Sequence, residues 1–207
     1  MSHEGDYHKR ATWTWPSTMA PADPSNVWLS KNVSVAKYRQ LEARRDREAI
    51  SKFVQHRFTE RYVAPLEVEP QKKSGFALMA IACLMIEALE SFSCGWSHTR
   101  QRSELAFCSF FRRWPQFSVF RPQARAFYRH VRCGILHQAE TTGGWRIWRR
   151  GLLFDRTAIT VNAASFMQAL QIVLAEYSEK LRNEPWDSDR WKRFRKKMDA
   201  ICKNAVS

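Results

Sequence analysis

An arginine and a histidine, Arg132 and His137, lie five residues apart in the second half of the chain. A guanidinium group stays charged, and its fork of N–H donors matches the oxygens of a phosphate. Imidazole groups in general titrate near neutral pH and serve as acids or bases. RNA cleavage without a metal needs a proton acceptor for the 2′-OH and a cation for the charge that develops around phosphorus. The two residue types fit these roles. The histidine could instead be the acid, so the assignment of the proton stays open.

The stretch that holds this pair, residues 127–145, begins with a helix-like pattern that has Arg132 and His137 at its end, and a polar segment and a Gly-Gly turn follow. Its spacing predicts one buried face, made of Phe127, Val131, Ile135 and Leu136. At about 100° per residue, His137 lies roughly 140° around the helix from Arg132, so the two side chains flank a groove. Gly134 between them either permits a close backbone approach or loosens the last turn, because glycine lowers helix stability by about 1 kcal/mol relative to alanine.

The run Arg132-Cys-Gly-Ile-Leu-His137, with Gln138 and a polar turn after it, resembles the R-x4-6-H motif of the HEPN family. HEPN domains are compact all-α domains of many prokaryotic toxins and defence ribonucleases. The resemblance extends over residues 53–181 in helix order and is specific at the motif. It implies a mainly α fold, a HEPN-like antiparallel helical bundle, in which Arg132 and His137 are catalytic. It also implies an endoribonuclease for single-stranded RNA that needs no metal or cofactor. The resemblance further implies a homodimer or larger oligomer, in which the motifs of two copies of the chain meet. An antitoxin or a defence protein would be a further partner.

The residue after the arginine departs from the family pattern. Catalytic HEPN domains usually place Asn, Asp or His there, and this chain has Cys133. The alternative function is therefore a non-catalytic HEPN-like module that binds RNA, a nucleotide or a partner protein. Further candidates around the motif fall into two groups. Supporting residues are Glu87, Glu90, Cys133, Gln138 and Glu140, and candidate RNA contacts are Arg129, His130, Arg146, Arg149 and Arg150.

Residues 75–92 predict the main core helix, because they are apolar almost all round. Two carboxylates, Glu87 and Glu90, interrupt this pattern near the end of the helix. Both are solvated in the simpler interpretation. In the other, one of them is buried and pairs with Arg132, since a buried carboxylate needs a cationic partner. Glu87 is the better candidate, because its neighbours on both sides are apolar.

The composition favours a polyanionic partner. Lys and Arg number 34 and Asp and Glu number 20, which gives a formal net charge of +14. Such a field favours nucleic acid first and an anionic membrane second. The five cysteines are widely spaced without a CxxC pair and predict free thiols in a reducing cytosol. Histidines and cysteines do not cluster at metal-ligand spacing. The apolar run 76–86 is too short to span a bilayer, so we expect a cytoplasmic protein without membrane contact.

Arginines concentrate around the motif. Residues 100–156 contain twelve arginines, no lysine and three acids. Aromatic residues are interleaved with them, and both residue types can hold RNA, through phosphate contacts and base stacking. For most of the aromatics the simpler interpretation is preferred, in which they form the core and the arginines form a solvated rim. The excess charge is then best explained by a phosphate backbone.

The other helices and strands are predicted from N-cap residues, prolines and the alternation of residue types. Ser34 caps a helix, or two, running to residue 62, and Pro65 and Pro70 end it. Residues 145–160 alternate apolar and basic residues and predict a small β-hairpin that turns near Gly151. Asn162 caps a helix over 163–181, and Asp187 or Ser188 caps a last one over 189–204. We divide the chain into a Trp/Pro-rich arm (1–33), the helical domain (34–184) and a basic amphipathic helix (185–207). That helix packs on the core, on a second subunit or on nucleic acid, and the arm is either disordered or docks its tryptophans.

Overall fold

Helices dominate the computed structural model, which describes residues 22–67 and 74–207. The mainly α class predicted from the sequence is therefore confirmed. The helices are α1 (Val35–Ala43), α2 (Arg47–Phe58), α3 (Ala64–Glu67), α4 (Gly75–Cys94), α5 (Ser103–Arg113), α6 (Ala124–Phe127), α7 (Cys133–Gln138), α8 (Ala163–Asn183) and α9 (Asp189–Val206). Two π-helical segments, Thr59–Val63 and Tyr128–Arg132, and a 3-10 segment, Pro115–Gln123, connect some of them. Helices α2 and α4 both pack on α8, and α4 also packs on α5 and α9.

The predicted helix starts are confirmed by their caps. The Ser34 hydroxyl accepts a hydrogen bond from the backbone N–H of Lys37 at 3.2 Å. The Asn162 side chain accepts from two backbone N–H groups at the start of α8, and Ser188 accepts from the first turn of α9. Each of these oxygens satisfies an N–H group that has no partner within the helix. These local signals are why the helix boundaries follow from the sequence.

One predicted stop is wrong. Helical structure continues past Tyr62 through the π-helical segment to Glu67, and Pro65 lies in the first turn of α3. Proline lacks the N–H that would continue the helix and its ring clashes with the carbonyl four residues earlier in an α-helix, and the wide π-helical turn Thr59–Val63 lies directly before Pro65. Pro70 lies outside the described residues.

The aromatic residues around α5 form the core, as the simpler interpretation predicted. Seven of them are almost fully buried: Phe107, Phe110, Phe111, Trp114, Phe117, Phe120 and Phe127. The Phe127 ring stacks on Phe166 of α8, with 5.5 Å between the ring centroids. Trp145 meets the same ring edge-on at 5.7 Å. This cluster therefore fixes both ends of the segment that contains Arg132 and His137.

The last helix, α9, packs on the core, which was one of the three partners that the sequence left open for it. Four residues of α9 are buried: Trp191, Phe194, Met198 and Cys202. Phe194 stacks on Phe92 of α4, with centroids 5.6 Å apart, and the Trp191 indole donates to the backbone carbonyl of Leu181. The proposed division of the chain stays a prediction. Trp13 and Trp15 of the arm lie outside the described residues.

The strands correct one prediction. A short ribbon pairs β1 (Trp28–Ser30) with β2 (Val33–Ser34), and a second sheet contains β3 (Arg146–Trp148), β4 (Phe154–Asp155) and β5 (Thr160–Asn162) in the order β3-β5-β4. The expected hairpin around Gly151 would pair β3 with β4. Instead β3 runs parallel to β5, and β4 pairs antiparallel with β5. Strand β5 is the central strand of this sheet. It is buried and leads directly into α8.

Helix α4 is long and apolar enough to cross a membrane, contrary to the expectation from its apolar run. The core helix of a soluble protein meets the same criterion. In this structure 61% of the apolar window of α4 is buried inside the protein. The fold is thus compatible with a soluble protein.

Candidate functional site

The motif lies on a helix that changes its pitch. The chain passes from α6 through the π-helical segment into α7, so Arg132 ends the wide turn and His137 lies in the last turn of α7. Phe127 and Val131 are fully buried, as predicted. Leu136 was predicted on the same face but is 55% exposed. Gly134 is the residue of α7 that faces the protein. Leu136, two positions later, points about 200° away from Gly134 around the helix and therefore faces solvent.

Gly134 allows the chain to fold back on itself. After α7 the backbone turns at Ala139, which has a positive φ of 55°. The returning loop then lies so close that a Cβ atom on Gly134 would be 2.5 Å from the backbone oxygen of Glu140. The backbone N–H of Thr142 donates to the carbonyl of His130 at 3.0 Å, which closes the loop on the helix. Of the two predicted roles for Gly134, close backbone approach is the correct one.

We therefore expect Gly134→Ala to lower the free energy of unfolding by about 1–3 kcal/mol, although alanine is the better helix former. The added methyl group meets a backbone oxygen, so the loop over residues 139–142 must move away. Urea unfolding of the two proteins measures the difference. Gly75→Ala is the control, because Gly75 also lies in a helix without a positive φ and a Cβ atom there would meet only side-chain atoms, the nearest at 3.2 Å. A Gly134→Ala protein as stable as the wild type would contradict the close packing of this loop.

Arg132 is held by a buried carboxylate. Its Nε and Nη2 atoms both lie 2.9 Å from Oε1 of Glu87 on α4. The other oxygen, Oε2, accepts hydrogen bonds from Thr99 at 2.9 Å and Ser103 at 2.8 Å. The side chains of Arg132 and Glu87 are 17% and 11% exposed. The pairing expected between these two residues is therefore present. Thr99 and Ser103 complete the carboxylate's hydrogen bonds and were not predicted.

The surroundings of Arg132 affect its charge. Burial alone lowers the pKa of its guanidinium, but the charge and hydrogen bond of Glu87 raise it above the ordinary value. The guanidinium carbon also lies 5.6 Å from the centre of the Tyr128 ring. Burial and the neighbouring Cys133 thiol raise the pKa of Tyr128. Cys133 therefore lies on the Arg132 side of the helix, beside the tyrosine.

The second carboxylate of α4 has its own arginine. Glu90 is fully buried, and its two oxygens accept from Arg113 of α5 at 2.8 and 3.2 Å. The Cys94 thiol donates to the same carboxylate at 3.2 Å, and burial followed by the charge of Glu90 raises the pKa of Cys94 to about 11. The simpler interpretation, in which both carboxylates are solvated, is wrong. Glu90 belongs to a different network from Arg132.

His137 differs from Arg132 in its surroundings. Its side chain is exposed, and it makes no hydrogen bond or ion pair within the part of the chain that the structure describes. Gln138 and Glu140 are exposed beside it, and Glu140 accepts from the backbone N–H of Thr141. Arg129 is exposed on the preceding turn. The imidazole is thus open to a ligand, on a helix whose arginine is fixed.

His130 supports the loop. Its Nδ1 atom lies 2.9 Å from the hydroxyl of Thr142, and its ring packs so closely that a Cβ on Gly143 would be 2.6 Å from it. The ring is half-buried as a result. Contact of His130 with RNA stays a prediction. The close packing of the His130 ring accounts for the glycine at position 143, because a larger residue has no room there, and the φ of 59° also favours glycine.

The twelve arginines around the motif divide into two groups. Several bind within the protein, as Arg121 does when it donates to the carbonyl of Phe111 at the end of α5. Arg149 is half-buried, next to the start of α4. Six others are exposed, and their side chains have no hydrogen bond or ion pair among the residues described: Arg100, Arg102, Arg112, Arg129, Arg146 and Arg150. These six side chains are available to an anionic ligand.

A groove lies on α5, to one side of the motif. An open groove of about 590 Å³ runs between α5 and the start of α6, and its lining includes Arg112, Arg121 and Arg125 but neither residue of the motif. No group of three or more histidine, cysteine, aspartate or glutamate side chains that could hold a metal ion occurs within residues 22–67 and 74–207. This groove is therefore separate from the motif.

Comparison with known proteins does not place the chain in a family. No family model matches it, and no curated protein and no solved structure matches it significantly. The resemblance to HEPN domains rests on the motif between Arg132 and His137 and on the residues around it.

Proposed function

We propose that this protein is an endoribonuclease of the HEPN type, which cleaves single-stranded RNA without a metal ion. The observation that carries the proposal is the exposed imidazole of His137, five residues after a guanidinium that the buried Glu87 holds in place. An arginine oriented in this way loses little freedom when it binds a phosphate, and an exposed histidine can reach the ribose.

The proposed reaction is an internal transfer. The 2′-oxygen of a ribose attacks the neighbouring phosphorus and loses its proton to a base, while the bond from phosphorus to the 5′-oxygen breaks. The products are a 2′,3′-cyclic phosphate and a 5′-hydroxyl, which receives a proton from an acid. His137 supplies one of these proton transfers. Two donor atoms of Arg132, Nε and Nη2, point at Glu87. In the proposed complex the remaining N–H donors of the guanidinium bind the phosphate oxygens.

One histidine carries out one of the two proton transfers. By resemblance, HEPN ribonucleases join two motifs across a homodimer, and we propose the same arrangement here, with a second His137 as the complementary acid or base. The exposure of Leu136, next to His137, supports this arrangement. Its apolar side chain would be covered when two copies of α7 meet.

The same resemblance extends the proposal to a biological setting. We place the protein in the cytoplasm, as a toxin or an anti-phage defence ribonuclease whose activity an antitoxin or another defence protein controls. The formal net charge of +14 supports RNA as its target.

A second candidate function is a non-catalytic module that binds RNA, a nucleotide or a partner protein. One observation favours it. Glu87 pairs with Arg132, and both oxygens of this carboxylate accept hydrogen bonds within the protein. A structural ion pair has this geometry too, and Cys133 occupies the position where catalytic domains of the family carry a polar residue.

Incubating RNA with the purified full-length protein in EDTA tests the proposal. We expect a labelled single strand to be cut into fragments that end in 2′,3′-cyclic phosphates, because no step requires a metal. A strand with 2′-O-methyl groups is the matched control and should stay intact, since its attacking oxygen is blocked. Protein that binds the unmodified strand and never cuts it would establish the second candidate function instead.

A further inference from the structure

Strand β3 and the turn after it expose two large apolar side chains among arginines. Trp148 is 60% exposed and Leu152 is 73% exposed. Arg146 and Arg150 are exposed on either side of Trp148, and neither has an ion pair in the described chain. Residues 141–154 contain no carboxylate. An exposed indole with an exposed arginine two positions away on each side in the sequence therefore lies at the surface, without an acidic residue in its own segment.

The strand presents Trp148 from a rigid base. Side chains alternate along a strand, so Arg146 and Trp148 point to one side and Ile147 to the other, where it is half-buried. A Cβ atom on Gly75 would lie 3.2 Å from Ile147 Cγ2, which places that side against the start of α4. The backbone of β3 pairs with the buried strand β5, with Trp148 opposite Asn162, the residue that caps α8. Trp148 thus lies on a fixed support.

This surface lies close along the chain to the motif. Thr142 is hydrogen-bonded to the backbone of His130, and Arg146 follows only four residues later. Four residues span at most about 14 Å, so the start of β3 stays near the helix that contains Arg132 and His137. A strand of nucleic acid that crosses β3 can therefore continue toward that helix.

The chemistry of the surface selects its ligand. An exposed indole offers a face on which any base can stack, and arginines bind the phosphates that flank the base. A duplex keeps its bases stacked on each other and offers no free face to the indole. We propose that Trp148 is a base-stacking platform for single-stranded RNA, with Arg146 and Arg150 holding the adjacent phosphates. The proposal rests on RNA as the ligand of the proposed function but not on cleavage.

Titrating the full-length protein with a labelled single strand of 2′-O-methyl RNA tests the platform, because this strand cannot be cut by attack of its 2′-oxygen. We expect Trp148→Ala to weaken binding by about 5- to 150-fold, which is the affinity that stacking of one base contributes. Trp148→Phe should retain most of the affinity, since a phenyl ring also stacks. Trp28→Ala is the matched control, because Trp28 is 61% exposed on β1. Its affinity should stay within about twofold of the wild type.

Salt separates the two kinds of contact. Trp148→Ala should lower the affinity by the same factor at every salt concentration. Arg146→Gln should make the slope of log K against log salt shallower by about 0.7, the effect of losing one phosphate contact with a single strand. A duplex of the same sequence should bind equally to the wild type and to Trp148→Ala.

Several results would overturn the platform. Equal affinity of Trp148→Ala and wild type for the single strand would do so, as would an equal loss in Trp28→Ala. A change from dimer to monomer in Trp148→Ala, with unchanged RNA affinity, would assign the surface to self-association. If the wild type cuts RNA and Trp148→Ala binds it normally, the platform fails while the proposed function stands. If the wild type binds no RNA at low salt, both fail.

Discussion

Alanine in place of His137 is expected to lower the rate of RNA cleavage by about 10²–10⁴-fold, the range that general acid–base groups contribute. The free energy of unfolding should change by less than about 0.5 kcal/mol, because the side chain is exposed and has no hydrogen bond in the described structure. Binding of the uncleaved strand should be nearly unchanged. Single-turnover cleavage in EDTA, urea unfolding and a binding titration measure the three quantities on the same preparations.

The control for this variant is His56→Ala. His56 is also exposed, but it lies on α2, outside the motif. It should cut RNA at the wild-type rate. Undiminished cleavage by His137→Ala would remove His137 from the mechanism, and an equal loss in both variants would show that any exposed imidazole contributes. A loss of activity together with a loss of stability would mean that the histidine supports the fold.

The helices of this protein follow from its sequence, because the signals that define them are local. A cap such as Ser34 or Asn162 acts on N–H groups two or three residues away, and apolar spacing repeats within one helix. The arrangement of the strands depends on distant contacts. Strand β3 pairs with β5, fourteen residues later in register, as Arg146 opposite Thr160 shows. The alternation around Gly151 does not distinguish this pairing from a hairpin.

The site was predictable in part for the same reason. A buried carboxylate needs a cation, so pairing of Glu87 with Arg132 was one of the two interpretations that the sequence left open, and the other was that Glu87 and Glu90 are solvated. The residues that complete its hydrogen bonds lie 12 and 16 positions away, Thr99 in the loop after α4 and Ser103 at the start of α5, and they carry no signal of their own. The exposure of Leu136 depends on the loop that folds over Gly134. Periodicity along a helix contains no information on such a loop.

The same rule applied to Glu90 gives the prediction with the largest expected effect on stability. Removing its partner through Arg113→Met should lower the free energy of unfolding by about 3–5 kcal/mol, because a fully buried carboxylate is left without a cation. Methionine keeps most of the apolar stem of the arginine. For a chain of 207 residues each kcal/mol lowers Tm by about 2–4 °C, so a decrease of about 10 °C should appear in thermal unfolding.

Two further variants test whether the loss of stability comes from the unpaired buried charge of Glu90. Arg125→Met breaks an ion pair with Glu104 in which the side chains are 82% and 46% exposed, and we expect it to cost less than about 1 kcal/mol. The double change Arg113→Met with Glu90→Leu removes both charges and should recover most of the stability. A single Arg113→Met variant as stable as Arg125→Met would contradict the buried pair.

The Arg113 variant also bears on the twelve arginines around the motif. The hydrogen bond with Glu90 raises the pKa of Arg113, although burial acts in the opposite direction. The charge of Arg113 is therefore paired with the buried Glu90. Below the unfolding temperature, Arg113→Met should therefore bind single-stranded RNA with the wild-type salt dependence, whereas loss of the exposed Arg146 should make that dependence shallower. If both variants reduced the slope equally, the division between structural and ligand-binding arginines would be wrong. The positive charge would then act on RNA as a field of the whole surface and not through particular side chains.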